Sequence, residues 1–369
     1  MSKRRKKKLN RRQQEIRRKR LKKRKRRRAI VIIIELIILC ILGTTAFALF
    51  KLGKMERTSL TNIKNNGLKQ TGYTNIALFG LDSRGKSLGK GNRTDTIMVA
   101  SINNETKKVK LISVYRDTML KQNGEHYDKA NAAYSVGGPE TAVNMLNENL
   151  DLDIQDYVSV NFLALADVID MVDGITVKMT DEEVVHMNNY CVETSKVTGK
   201  KYKKIEPAVA GTYKLNGVQA VSYARIRYTA GGDYKRTERQ RLVLEKTANK
   251  LKKQNLATIN KIIDKVMPEV STSFSTKEIL ALASGAFDFE LGETSGFPFD
   301  LETPDSVPGY SGSYVIPKGL EENVIKLHEF LFPDEEYTPT ETVTNISDTL
   351  INMTNVYPST TGSGTSQDE

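Results

Sequence analysis

Short apolar runs of strand length alternate with stretches of helical spacing through most of the chain. Residues 75–81 (NIALFGL), 96–102 (TIMVASI) and 109–114 (VKLISV) are rich in aliphatic and β-branched side chains and predict strands. The polar stretch 103–108 predicts a hairpin between the last two. Residues 139–150 have helical spacing (Ala142, Val143, Met145, Leu146, Leu150), followed by a strand at 156–161, a helix at 163–172 and a strand at 175–179. Asn216 is an N-cap for a helix over 217–224, and Asp233 caps a longer helix to about residue 253. Residues 257–286 read as helical, 313–316 as a strand and 320–331 as a last helix. Residues 181–208 are polar and basic and read as a surface excursion. Beyond Pro333 the composition turns to Thr, Ser, Asn and Gly, which predicts disorder over 336–369. Strands mixed with helices around one core predict an α/β fold, an α-β-α sandwich with a mixed central sheet.

One apolar run fits neither period. Residues 29–50 (AIVIIIELIILCILGTTAFALF) carry a single charge, Glu35. As a helix at about 1.5 Å per residue the run spans roughly 33 Å, which matches a hydrocarbon core of about 30 Å. It predicts one transmembrane helix. Residues 1–28 hold 19 Lys and Arg against one acid, so this end is expected on the cytoplasmic side and the rest outside the cell membrane. A cleaved signal peptide fits poorly, since its apolar core runs about 7–15 residues. Residues 51–72 read as a polar stalk and residues 73–335 as the main folded domain.

Charge changes the picture once it is divided. The whole chain is formally +12. Subtracting the tail's 19 bases and one acid from totals of 56 and 44 leaves 37 bases against 43 acids. The folded domain is therefore acidic, the tail suits anionic lipid, and no nucleic-acid partner is expected. Of the cysteines, Cys40 lies within the predicted span and Cys191 outside the membrane, which excludes a disulfide-built fold. His126, His186 and His328 show no zinc-ligand spacing, and neither a P-loop, a nucleophile elbow nor a dinucleotide fingerprint is present.

Polar residues cluster where the predicted strands end. Asp82 closes the first, Arg93 and Asp95 open the second, and Arg116 and Asp117 end the third. If these strands are neighbours, carboxylates and guanidinium groups meet at one sheet edge. Carboxylates with open water positions suit Mg²⁺, and arginine's planar fork suits phosphate oxygens. Turn residues and surface ion pairs are the plainer alternative. A denser group follows: Arg225 and Arg227 fall on one face of an extended stretch, while Asp233, Arg236 and Gln240 form a helical stripe with Arg239 beside it. Arginines near a helix N-terminus oppose its dipole unless an anion is bound there.

These motifs, taken in order, resemble the LytR-CpsA-Psr family of bacterial cell-wall ligases. The resemblance covers roughly residues 73–332 and rests on NIALFGLDSR, GNRTDTIMVASIN, KLISVYRDT, KANAAYSVGG, VNFLALADVIDMVDGI and LNGVQAVSYARIRY…GDYKRTERQR. It implies an apolar groove for the polyprenyl tail of a lipid-linked glycopolymer, with its pyrophosphate at the groove's mouth. Asp82 and Asp95 would bind Mg²⁺, for which Mn²⁺ can substitute, and Arg116, Arg225, Arg227 and Arg236 would contact the pyrophosphate. Lys129, Arg239 and Gln240 would support that shell, and Asp233 would orient the arginines. The implied reaction moves a phospho-glycopolymer, of the teichoic acid or capsule type, from polyprenyl pyrophosphate to a peptidoglycan hydroxyl. Asp117 and Asp233 are candidates for the general base by location. A lipid-pyrophosphate pyrophosphatase and a membrane-bound regulator are the competing readings.

Overall fold

The computed structural model describes residues 56–82, 88–285 and 288–359. The basic tail and the predicted membrane helix lie outside the described residues, and among the described residues no helix is long and apolar enough to cross a membrane.

In chain order the elements are β1 (Glu56–Arg57), β2 (Tyr73–Leu81), β3 (Thr94–Asn103), β4 (Lys108–Val114), β5 (Met119–Lys121), β6 (Tyr127–Lys129), α1 (Ala130–Leu150), β7 (Ile154–Asn161), α2 (Phe162–Met171), β8 (Ile175–Met179), α3 (Asp181–Thr198), β9 (Gly211–Leu215), α4 (Gly217–Ala224), α5 (Gly232–Leu251), α6 (Leu256–Val266), β10 (Val270–Thr272), α7 (Thr276–Gly285), β11 (Glu290–Phe297), β12 (Leu301–Glu302), β13 (Ile316–Pro317), α8 (Leu320–Leu331) and α9 (Glu341–Thr354). The main sheet runs β1-β10-β7-β2-β3-β4-β11. It is mixed: β2 pairs parallel with β7 and antiparallel with β3, and β3 with β4 forms the predicted hairpin.

Alternation along β2 assigns its two faces. Ala77, Phe79 and Leu81 join the largest core with α1, α8 and α9, while Ile76 and Leu78 face α7 and the opposite layer. Phe79 meets Tyr134 edge-on with centroids 5.1 Å apart, and the Tyr134 hydroxyl donates to the Leu88 carbonyl at 2.6 Å. A second cluster joins α2, α3, α4, α5, β8 and β9.

Three expectations are corrected here. The polar stretch 181–208 is only in part a surface excursion: residues 181–198 form α3, opened by a capping box between Thr180 and Glu183, and residues 199–208 are irregular. Val184, Met187 and Cys191 on α3 are buried, and burial pushes the Cys191 thiol up, so this cysteine is a packed, inert side chain. The segment from residue 56 to 72 is not a free stalk. β1 pairs with β10, the Thr61 amide donates to Glu140 at 2.7 Å, and the Lys64 amide donates to Asn144 at 2.9 Å.

The predicted disorder after residue 335 also fails across the described part of that tail. α9 is capped by Thr340, and Val343, Ile346 and Leu350 fall at i, i+3 and i+7, buried in the main core. Asp151, fully buried in the left-handed turn after α1, accepts from the Tyr337 hydroxyl at 2.6 Å and the Thr340 amide at 2.9 Å. Three well-spaced apolar residues and a buried carboxylate outweigh a polar composition.

Candidate functional site

On the sheet face away from α1, α8 and α9, the helices stand off and leave a cavity of about 520 Å³. Its floor follows from strand register. Leu78 pairs with Met98 on one side and Val158 on the other, and Gly80 pairs with Thr96 and Val160; all six line the cavity. Gly80 is required there, because a Cβ would sit 2.8 Å from Cβ of Thr96. Phe162 and Leu165 of α2, Tyr190 of α3, Val221 and Ala224 of α4, and Val243 and Leu244 of α5 complete a predominantly apolar wall.

One end of this cavity is charged. Asp82 follows β2, Asp95 lies near the start of the antiparallel β3, and Arg116 follows β4, so the register brings all three to one sheet edge. Arg225 caps the end of α4, Arg227 follows it, and Arg236 and Gln240 come from the first half of α5. All of these line the cavity, as does the exposed Arg93. Arg225 and Arg227 reach it from a turn rather than the predicted extended stretch.

Carboxylates hold the guanidinium groups in place. Asp95 pairs with Arg116. Asp117 lies 3.4 Å from Nε of Arg116, 3.4 Å from Nζ of Lys129 and 3.6 Å from Arg227. Asp233 sits in the first turn of α5, whose N-cap is Gly231, and lies 2.9 Å from Arg236 and 3.4 Å from Arg227. Arg225 donates to Glu193 and to Thr194 Oγ1, each at 3.0 Å, with its plane over Phe162 and Tyr190. Arg116 stays firmly charged: burial opposes its proton, but Asp95 and Asp117 outweigh that and raise its pKa.

Burial dominates one layer deeper. It pushes the Asp233 carboxyl up, against the pull of Arg236, and it pulls Arg236 below the usual arginine range. The Arg236 side chain is 2% exposed, and among the described residues neither its Nε nor Oε1 of Gln240 on the same wall has a hydrogen-bond partner. A buried guanidinium with an unmatched donor beside a cavity is suited to an incoming anion.

The predicted site residues thus divide. Asp82, Arg93, Asp95, Arg116, Arg225, Arg227, Arg236 and Gln240 line the cavity together. Asp117, Lys129, Asp233 and Arg239 do not. Lys129 lies over the Tyr314 ring at 4.8 Å. Arg239 donates to Glu183 at 2.9 Å, to the Ile226 carbonyl at 3.2 Å and to Thr229 at 2.7 Å, which fixes the loop carrying Arg227. Sequence reasoning did not reach Tyr190, because it lay in the stretch read as a loop. The signal was there in the capping box and in the helical spacing of Val184, Met187 and Cys191.

The chain is similar in sequence and in fold to several known proteins. Biofilm regulatory protein A of Streptococcus mutans is 31% identical over 254 residues, spanning 65% of this chain and 60% of that protein. The polyisoprenyl-teichoic acid–peptidoglycan teichoic acid transferase TagU of Enterococcus faecalis is 29% identical over 255 residues, spanning 67% of this chain and 78% of that one. A solved structure of the LytR-CPS2A-psr family protein YwtF (TagT), with bound octaprenyl pyrophosphate lipid, superposes with a TM-score of 0.53 at 21% identity, covering 74% of this chain and 99% of that one, a likeness of fold. Residues 44–293 match the LytR_cpsA_psr family, and the chain belongs to it.

Proposed function

We propose that this chain is a phosphotransferase that moves a phospho-glycopolymer from a polyprenyl-pyrophosphate carrier to a peptidoglycan hydroxyl, on the outer side of the cell membrane. The observation that carries the reading is the convergence of Arg116, Arg225, Arg227 and Arg236 at one end of an apolar cavity. An isoprenoid tail suits the Leu78, Met98, Val158 and Val160 floor, and a pyrophosphate suits the guanidinium end. The name of TagU describes the same chemistry in a relative, and the YwtF structure holds a polyprenyl pyrophosphate.

Phosphoryl transfer depends on positioning and charge neutralisation more than on covalent help from the protein. Arg116, Arg225 and Arg236 would hold the non-bridging oxygens, and Asp117 and Asp233 would keep Arg116, Arg227 and Arg236 aimed. Asp82 and Asp95 stand on the wall beside them. Two carboxylates facing an open cavity fit Mg²⁺, which takes few protein ligands and completes its shell with water and phosphate. When bound, the ion would neutralise charge developing on the phosphate. Asp117 and Asp233 are off the cavity wall, so we assign them the positioning of the arginines they pair with.

The experiment incubates full-length protein with a lipid-linked donor, Mg²⁺ and peptidoglycan fragments. The expected product is polymer attached to the fragments, with polyprenyl phosphate released. Release of polyprenyl phosphate together with free phospho-polymer, and no attachment, favours the pyrophosphatase, and no turnover of either kind favours the regulator.

A further inference from the structure

Exposed apolar side chains are concentrated on one side of the domain. Of the six large ones that stand exposed among the described residues, four lie on α3 or against it. Val185 and Val192 sit on the helix itself, two turns apart on its outward stripe. Val209 precedes Ala210, whose amide donates to Asp181 at the start of α3, and the Tyr228 ring is 6.4 Å from the His186 ring.

The same face is basic within an acidic domain. Lys196 continues the outward stripe of α3, and Lys201, Lys203 and Lys204 follow; all four are exposed, and among the described residues none is ion-paired. The segment that carries them is built into the fold. Asn188 bonds both backbone groups of Ile205, at 3.0 and 3.1 Å, and Gln219 donates to the Lys203 carbonyl at 2.8 Å. Of the nearby acids, Glu193 pairs with Arg225, Asp181 and Glu182 stand at the opposite, N-terminal end of α3, and Glu206 follows the lysines. This face borders the cavity, since Tyr190 of α3 and Tyr228 both line it.

We propose that α3 and the 196–204 segment form a docking face for an anionic lipid surface, with the lysines among the headgroups and Val185, Val192 and Tyr228 at the interface. Lysines alone would serve any polyanion. Exposed valines beside them gain only from a partner with an apolar layer, which selects lipid. Docked this way, the cavity rim meets the leaflet from which an isoprenoid tail is drawn.

The chain has no tryptophan, so a single introduced one reports its own surroundings. Full-length Val192→Trp is placed in nanodiscs of phosphatidylglycerol or of phosphatidylcholine, with Tyr357→Trp, beyond α9 on the far side of the sheet, as the control. In phosphatidylglycerol the Val192→Trp emission is expected to shift to the blue and to be quenched by brominated lipid, while the control stays solvent-like. Adding Lys201→Gln, Lys203→Gln and Lys204→Gln abolishes the shift, since each lysine contributes roughly fivefold to docking and three contribute on the order of a hundredfold. Val185→Trp carries the same reading should Val192→Trp fail to fold. Identical Val192→Trp spectra in the two lipids, or an equal response of the control, overturn the proposal. So does a shift in phosphatidylcholine on adding inorganic polyphosphate, which would make the face a polyanion site. No donor is present in any arm, so the result is independent of the transfer reaction.

Discussion

The two faces of the central sheet are built from the same strands by alternate residues, yet one is closed and the other is not. On one face Ala77, Phe79 and Leu81 of β2 and Tyr157 of β7 are buried in the largest core with α1, α8 and α9. On the other, Leu78, Met98, Val158 and Val160 are as apolar but look into a cavity of about 520 Å³. The difference lies in what covers them. The closed face is roofed by α1, α8 and α9, with α9 pinned through Asp151. The open face is roofed by α2, α4 and α5, which bring arginines to one end of the space instead of filling it. Apolar alternation specifies a core face; whether it becomes a core or a binding groove is decided by the helices above it.

The largest expected effect breaks the open face at its charged end. Arg225→Ala or Arg116→Ala is expected to lower transfer by about 10²–10³-fold, as loss of one preorganised charge donor does. The domain should remain folded at assay temperature, with a thermal midpoint lowered by the loss of the pairs to Asp95 and Asp117 or to Glu193. Near-normal turnover in both variants removes the arginines from the reaction.

The next pair sets the faces directly against each other. Phe79→Ala on the closed face is expected to cost about 3–5 kcal/mol in urea unfolding. Val160→Phe, which fills empty space on the open face, should cost under about 1.5 kcal/mol while sharply weakening donor binding. Equal stability losses would show that the cavity floor is packed as tightly as the core.

Val343→Asp tests the roof of the closed face. Each of Val343, Ile346 and Leu350 contributes about 1.5–3 kcal/mol by burial, so a charge placed there should lower the unfolding free energy by at least that much and shift the urea midpoint down. A midpoint unchanged from wild type would mean that α9 does not stabilise the domain.

The smallest effect is a shift in pH dependence. Asp233 aims Arg227 and Arg236 only when ionised, and burial raises its pKa. The acid limb of kcat/KM is therefore expected above the ordinary carboxylate range, with activity falling as pH drops through it. The sign for stability is opposite. A folded-state pKa raised above the unfolded value means that this group's stabilisation is full below the unfolded pKa and is lost as pH rises through the folded one. Asp233→Asn should flatten the acid limb of the rate profile; an unaltered limb assigns it to another group.

These regions also differ in how far they could be read from sequence. The strands β2, β3, β4 and β7 announce themselves through aliphatic alternation, and the arginines through their density around Gly231 and Gly232. α3 and α9 were obscured because their buried stripes use Cys, Thr and Ser among few aliphatics, so composition masked periodicity. β11 (ELGETSGF) is an edge strand with almost no apolar alternation, and was read as part of nothing. The cavity is invisible in the sequence for a deeper reason: it exists only because three helices keep their distance from one sheet face, and no linear pattern records a distance.

The central claim is that the guanidinium end and the apolar floor bind one lipid pyrophosphate together. Binding of octaprenyl pyrophosphate and octaprenyl phosphate to full-length wild type, Arg225→Ala and Val160→Phe, measured by native mass spectrometry, tests it most directly. The account predicts that wild type retains the pyrophosphate more strongly than the monophosphate and that each variant loses it. Equal retention of the pyrophosphate by all three proteins would contradict it.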